Sequence, residues 1–245
     1  MNFSELGLSA KLVAKVTASG LSTPTPIQDR AIPLVLQGRD LMGLAQTGTG
    51  KTAAFGLPLI DLLMGVGQKP APKTVRSLIL APTRELTRQI CDTLTTYVGN
   101  THLKIGMVVG GVSINAQINR LERGTDILVA TPGRLLDLLD RRALTLDETR
   151  FLVLDEADQM LDLGFAHALR KIAKLLPDER QTLLFSATMP KQMAELAETY
   201  LNRPVRVEVA RQDAARPRQG RHGLWPDERA ARRASSRGPV GPHHG

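Results

Sequence analysis

From residue 40 onward the chain alternates short apolar runs with longer amphipathic stretches. The runs lie at 41–44, 78–81, 105–109, 127–130, 151–154, 183–185 and 205–209. Most are continuous rather than alternating, as strands covered on both faces should be. Between them, apolar residues recur at helical spacing over 53–64, 85–98, 113–123, 133–141, 165–176 and 191–201. Strand and helix in turn predict an α/β fold, a three-layer αβα sandwich around a mainly parallel sheet. Residues 1–37 read as helical. Ser9 is expected to cap a helix ending at Gly20, and Thr25-Pro26 to open a second with Pro at its first position. Residues 65–74, with Gly, Pro, Lys and Gln, read as a surface loop.

Six of the apolar runs end in a polar turn that carries Gly, Thr, Ser or acid. In order these are Ala45–Thr52, Pro82–Leu86, Gly110-Gly111, Thr131–Arg134, Asp155–Asp158 and Ser186–Thr188. Helix caps alone could explain any one of them. Six in register, at the carboxyl edge where open α/β sheets bind ligands, point to one site.

Ala45-Gln46-Thr47-Gly48-Thr49-Gly50-Lys51-Thr52 is the most informative turn. A strand, a Gly-rich turn and a helix N-terminus make a phosphate cradle, because glycine lets backbone N–H groups turn inward. Lys51 would reach the β- and γ-phosphates, and the Thr52 hydroxyl would ligate Mg²⁺. Ala45 stands where the general pattern has its first Gly. The fifth run ends in Asp155, placed to hold Mg²⁺ across from Thr52, with Glu156 beside it to polarise a water. No His/Cys cluster suggests zinc, and no Gly-x-Ser-x-Gly turn suggests a serine hydrolase.

Composition narrows the setting more than the chemistry. Of the 245 residues 42% are hydrophobic, enough for a sizeable core, and no run approaches a membrane span. The N-terminus has no basic region leading into an apolar stretch, so no signal peptide is expected. A single cysteine, Cys91, excludes an internal disulfide and fits a cytoplasmic setting. The net charge of +8 is uneven, since residues 210–245 hold eight Arg against three acids. Residues 1–209 are only mildly basic, so bulk charge does not establish a nucleic-acid partner.

Together these motifs resemble those of the DEAD-box ATP-dependent RNA helicases, and look closest to the bacterial RhlE-type members. The resemblance covers residues 1–209. Phe3 matches the upstream aromatic, and residues 20–28 (Gly-Leu-Ser-Thr-Pro-Thr-Pro-Ile-Gln) the Q motif. Ala45–Thr52 matches motif I, where the family commonly has Ala first, and Pro82–Leu86 matches motif Ia. Gly110-Gly111 matches the double-Gly element, Thr131–Arg134 motif Ib, Asp155–Asp158 the DEAD motif, and Ser186–Thr188 motif III. Thr87 departs from the Ala usual at its position.

The resemblance implies an ATP-binding RecA-like domain over 1–209. It would bind ATP and Mg²⁺ and couple hydrolysis to RNA duplex unwinding. Gln28 would read the adenine edge, with Phe3 packing nearby. Thr83, Arg84, Gly111, Thr131, Gly133 and Arg134 would hold one RNA strand by its backbone, without a sequence code. Ser186 and Thr188 would hydrogen-bond Asp158 and couple the two ligands. Family members also carry a second RecA-like domain with arginine fingers, and nothing after Val209 resembles it. Residues 210–245 instead read as a disordered basic arm or an out-of-frame C-terminus. They hold no Lys, against nine in 1–209, and they contain Trp225, the one Trp. The alternative function is a nucleotide- and RNA-binding module with negligible turnover.

Overall fold

Seven strands form a single sheet, ordered β3-β4-β2-β5-β6-β1-β7, in a computed structural model that describes residues 2–209. The strands are β1 (Leu41–Leu44), β2 (Val75–Leu80), β3 (Ile105–Val108), β4 (Thr125–Ala130), β5 (Phe151–Leu154), β6 (Gln181–Ser186) and β7 (Val205–Glu208). Every neighbouring pair is parallel, so the sheet is wholly rather than mainly parallel among the described residues. The expectations for residues 210–245, including Trp225, lie outside the described residues.

Period-2 alternation sends each strand's side chains to opposite faces, and both faces are buried. Ile79, Ile127, Val129, Val153, Leu183 and Phe185 pack into one apolar cluster. Their chain neighbours Leu78, Leu80, Leu128, Leu152, Leu154 and Leu184 pack into the other. This is why the strands read as continuous apolar runs. The first cluster is covered by α1 (Ala10–Ala18), α2 (Pro26–Leu36), α3 (Lys51–Met64) and α4 (Arg84–Val98). The second is covered by α5 (Ile114–Leu121), α6 (Pro132–Asp140), α7 (Ala157–Asp162), α8 (Ala166–Ala173) and α9 (Lys191–Tyr200).

The reading of the helices needs three corrections, two of them at the N-terminus. A one-turn 3₁₀ helix, Phe3–Leu6, precedes α1. Ser9 stands at the N-cap of α1 but makes no cap hydrogen bond; its N–H and hydroxyl both donate to the Asp61 carboxylate on α3. Helix α7 was not anticipated as a separate element: six residues are too few for apolar periodicity to show. At the other end of β1, the Asp40 carboxylate accepts from the N–H groups of Thr182 (2.8 Å) and Asn202 (2.7 Å), tying β1 to its neighbours β6 and β7.

Candidate functional site

The strand order sorts the six turns into two contiguous sets. Turns after β3, β4 and β2, three neighbours at one side, carry Gly111, Thr131–Arg134 and Thr83-Arg84. Turns after β5, β6 and β1, the next three, carry Asp155–Asp158, Ser186–Thr188 and Ala45–Thr52. Parallel strands put all six at one edge of the sheet.

In the second set, β1 pairing with β6 runs on through Ala45, whose N–H donates to the Ser186 carbonyl at 3.1 Å. Ala45 is buried, so its methyl sits in the core rather than in the cradle. Beyond it Gln46, Thr47 and Gly48 are exposed, and the Thr49 hydroxyl closes the turn on the Gln46 carbonyl at 2.7 Å. Gly48 and Gly50 have φ of 83° and 91°, the left-handed region that glycine enters without penalty. Gly50 is the N-cap of α3, so Lys51 and the half-buried Thr52 open that helix. Gly50 is also constrained from outside: a Cβ there would collide with the Gln28 carboxamide.

Lys51 is 6% exposed, and its Nζ lies 3.6 Å from Asp155 Oδ1 and 3.8 Å from Glu156 Oε1. Neither Lys51 Nζ nor Asp155 Oδ1 has a hydrogen-bond partner, although both atoms are buried. Burial pushes the Asp155 carboxyl up to about 6; Lys51 pulls it down, and Glu156 adds to the rise. Glu156 has φ 53° and ψ 51°, a left-handed conformation costly for a residue with a Cβ, and the Thr47 hydroxyl donates to its Oε1 at 2.8 Å. The strained turn aims Glu156 back at the Gly-rich loop. Thr47 was expected as a loop residue; its grip on Glu156 was not, because 109 residues separate them.

Asp158 accepts at one oxygen, Oδ2, from the Ala187 N–H (3.1 Å), the Thr188 N–H (2.9 Å) and the Thr188 hydroxyl (2.9 Å). The expectation that Ser186 also bonds Asp158 is corrected. Ser186 is the last residue of β6, and its hydroxyl donates to the Thr188 carbonyl at 2.7 Å, shaping the turn instead.

Gln28 is 2% exposed, with both ends of its carboxamide engaged. Nε2 donates to the Gly50 carbonyl at 3.1 Å, and Oε1 accepts from the Thr25 N–H at 3.0 Å. Gln28 therefore braces the start of α2 against the Gly-rich loop. Phe3 is 2% exposed and packed in the apolar cluster beside α2, so its ring is a core side chain with almost no free face.

In the first set, Thr83 caps α4 by accepting from the Leu86 N–H at 3.2 Å, and Arg84 is exposed. Gly111 has φ 72°, and a Cβ there would run into the Arg84 guanidinium, so this loop and the start of α4 touch. Thr131 is the N-cap of α6, and Gly133 is exposed as its second residue. Arg134 donates to the Val112 carbonyl at 3.0 Å and lies 3.9 Å from Asp137. It thus links the turns after β4 and β3. Thr87 is fully buried, and its hydroxyl is satisfied by the Thr83 carbonyl at 2.7 Å.

This geometry can hold an anion against the loop and a cation against Asp155. The family described as DEAD/DEAH box helicase matches residues 25–196. An ATP-dependent RNA helicase CshA of Listeria monocytogenes is 47% identical over 207 residues, which are 84% of this chain and 39% of that protein. An RNA helicase CrhR of Synechocystis is 46% identical over 84% of this chain and 41% of its own length. The crystal structure of a DEAD box protein from the hyperthermophile Methanococcus jannaschii matches with a TM-score of 0.78 and 39% identity, over 85% of this chain and 56% of that one. The chain thus spans about two fifths of the curated relatives' length. With the match running from the start of α2 into α9, the chain belongs to the DEAD/DEAH box helicase family.

Proposed function

We propose that residues 2–209 form the ATP-binding half of an ATP-dependent RNA helicase acting in the cytoplasm. The observation that carries this reading is the buried ion pair of Lys51 Nζ and Asp155 Oδ1, neither atom hydrogen-bonded, beside a glycine loop at a helix N-terminus. Such a pair suits ligands of opposite charge, a polyphosphate on Lys51 and a hydrated divalent cation on Asp155. The backbone of residues 45–50, Lys51 and Thr52 would hold the phosphates of ATP. Thr52 and Asp155 would hold Mg²⁺, which when bound draws negative charge from the phosphate oxygens. Glu156, held by Thr47, would orient the attacking water and take its proton.

Thr83, Arg84, Gly111, Thr131, Gly133 and Arg134 would hold an RNA strand through phosphates and 2′-hydroxyls. Asp158 with Thr188 would connect the nucleotide turn to that surface. Among the described residues Lys51 is the one cation paired with Asp155 and Glu156. An arginine on the transferring phosphoryl group is worth about 10³–10⁵ in rate. That favours a second reading for the 245 residues alone, nucleotide and RNA binding with turnover near background.

The test is ATP binding and hydrolysis, each with and without single-stranded RNA, on the chain and on Glu156→Gln. Magnesium-dependent ATP binding retained in Glu156→Gln supports the ATP site. RNA-stimulated turnover lost in that variant supports the helicase reading, and binding without turnover in both supports the module. Failure of the chain to bind ATP would overturn the proposal.

A further inference from the structure

Strand β3 is one edge of the sheet, and its outer side is not closed like its inner side. The Lys104 carbonyl accepts from the Ile127 N–H at 3.0 Å, and the Val108 carbonyl from the Thr131 N–H at 3.0 Å. In a parallel ladder this parity turns the backbone groups of even-numbered β3 residues toward β4 and those of odd-numbered residues outward. Val109, the last outward residue, is already satisfied: its N–H donates to Gln117 Oε1 and its carbonyl accepts from Gln117 Nε2, each at 3.1 Å. The buried Gln117 carboxamide thus stands in for one residue of a neighbouring strand. Ile105 and Met107 are outward and half-buried, and among the described residues they have no such surrogate.

These two residues floor a groove of about 600 Å³ between α4 and α5. Its rim carries Arg88, Lys104, Arg120 and Arg123 against a single acid, Asp92. All four cations are exposed, and none of their side chains makes an ion pair or hydrogen bond within the described residues. We infer that this groove is a docking site for an acidic peptide segment in extended conformation, which adds to β3 as an eighth strand.

Charge selects the occupant. A second copy of the chain would bring the same four cations edge to edge, and residues 210–245 carry a +5 excess, so both are repelled. The alternation of outward N–H and C=O groups at Ile105 and Met107 separates a peptide from an RNA strand. A peptide backbone answers with an N–H and a C=O in every outward residue, whereas RNA answers the N–H groups with phosphates and has only its 2′-hydroxyls to donate to the carbonyls. The cations then read acidic side chains of the added strand. The same cations keep a free edge from pairing with copies of itself. The inference does not depend on the nucleotide site.

The test uses the 245-residue chain and a fluorescein-labelled peptide of about eight residues, the length of an ordinary strand, alternating Glu with Val. The control is the same peptide N-methylated at alternate amides, which has the same charge but cannot pair. Fluorescence anisotropy is expected to give saturable binding of the first peptide. It should weaken at least tenfold for the methylated peptide, for Arg88→Glu/Arg120→Glu, and for Met107→Pro, which removes an outward N–H. Equal binding of both peptides would reduce the site to loose electrostatics and overturn the inference, as would no binding up to about 1 mM. If single-stranded RNA rather than peptide loses affinity in Met107→Pro, the groove is an RNA path and the inference fails. Should Met107→Pro not fold by circular dichroism, the methylated peptide decides alone.

Discussion

Gln28 donates from Nε2 to the carbonyl oxygen of Gly50, 3.1 Å away, while its Oε1 accepts from the Thr25 N–H at 3.0 Å. Twenty-two residues apart, the two positions fix the entry of α2 against the turn that opens α3. Replacing Gln28 by Ala leaves the half-buried Gly50 carbonyl and Thr25 N–H without these partners, at a cost of up to about 1–3 kcal/mol each. Gln28→Ala should therefore lower the urea midpoint and weaken ATP binding together. A variant of unchanged stability, weakened only in its preference for adenine over guanine nucleotides, would make Gln28 a base reader and no brace.

Gly111, in the turn after β3, meets the guanidinium of Arg84 at the start of α4, where a Cβ would collide with it. Gly111→Ala should be costly through its φ of 72°, and it should also push aside the end of the Arg84 side chain. The expected phenotype is RNA affinity reduced at least several-fold with ATP affinity unchanged, read by anisotropy on labelled single-stranded RNA and on a labelled nucleotide. Equal losses of both ligands would mean that the whole edge has shifted.

Much of this arrangement was legible in the sequence, and the misses share a cause. Seven runs reported the seven strands, the central ones because a strand covered on both faces needs continuous apolar residues, as Leu78-Ile79-Leu80 illustrates, and edge strand β7 by its alternating Val205 and Val207. The Gly-rich loop was legible because its glycines answer a backbone demand. Relations between distant polar side chains were not. Thr47 reaching Glu156, Ser186 turning to its own loop rather than to Asp158, and Gln28 spending both ends of its amide depend on how loops from separate strands meet. No spacing along the chain encodes that. Ser9 looked like a cap because Ser is a good one, and Asp61 from α3 took its hydrogen bonds instead.

Asp158 gathers three donors on one oxygen, two of them backbone groups that no side-chain substitution removes. Thr188→Ala should therefore cost only about 1 kcal/mol, whereas Asp158→Ala removes all three contacts at once and should cost more. Ser186→Ala should leave the Asp158 contacts intact. The order Asp158→Ala, then Thr188→Ala, then Ser186→Ala is the expected ranking, in thermal midpoint and in the effect of RNA on ATP binding. Ser186→Ala as the most damaging of the three would contradict the geometry.

Asp126 offers a control away from the site. Its carboxylate accepts from Arg76 at 2.8 Å and from the Lys104 N–H at 2.8 Å, and it is 1% exposed. Removing one partner of a buried pair costs about 3–5 kcal/mol, because the other charge stays behind. Asp126→Ala should lower stability by that order in urea titrations, and at temperatures where the variant is folded its ATP affinity should match the parent. An ATP affinity that falls in the folded variant would tie β4 to the nucleotide site.

Asp155 gives the pH dependence a definite sign. Its carboxyl is raised from 3.8 to about 6, chiefly by burial and against the pull of Lys51. Below about pH 4 the group is protonated in folded and unfolded chains alike, and its contribution to stability is intact. Between about pH 4 and 6 the unfolded chain releases the proton while the folded chain keeps it. Stability therefore falls with rising pH, by an amount on the order of 1–3 kcal/mol once both states are ionised. Asp155→Asn cannot ionise and should lack this decline. Urea midpoints across that range should converge at the acid end and separate toward neutrality, with the variant the more stable. Lys51→Met should steepen the parent's decline by removing the charge that holds the carboxyl down. Parallel profiles for parent and Asp155→Asn would show that the burial of Asp155 is relieved in solution.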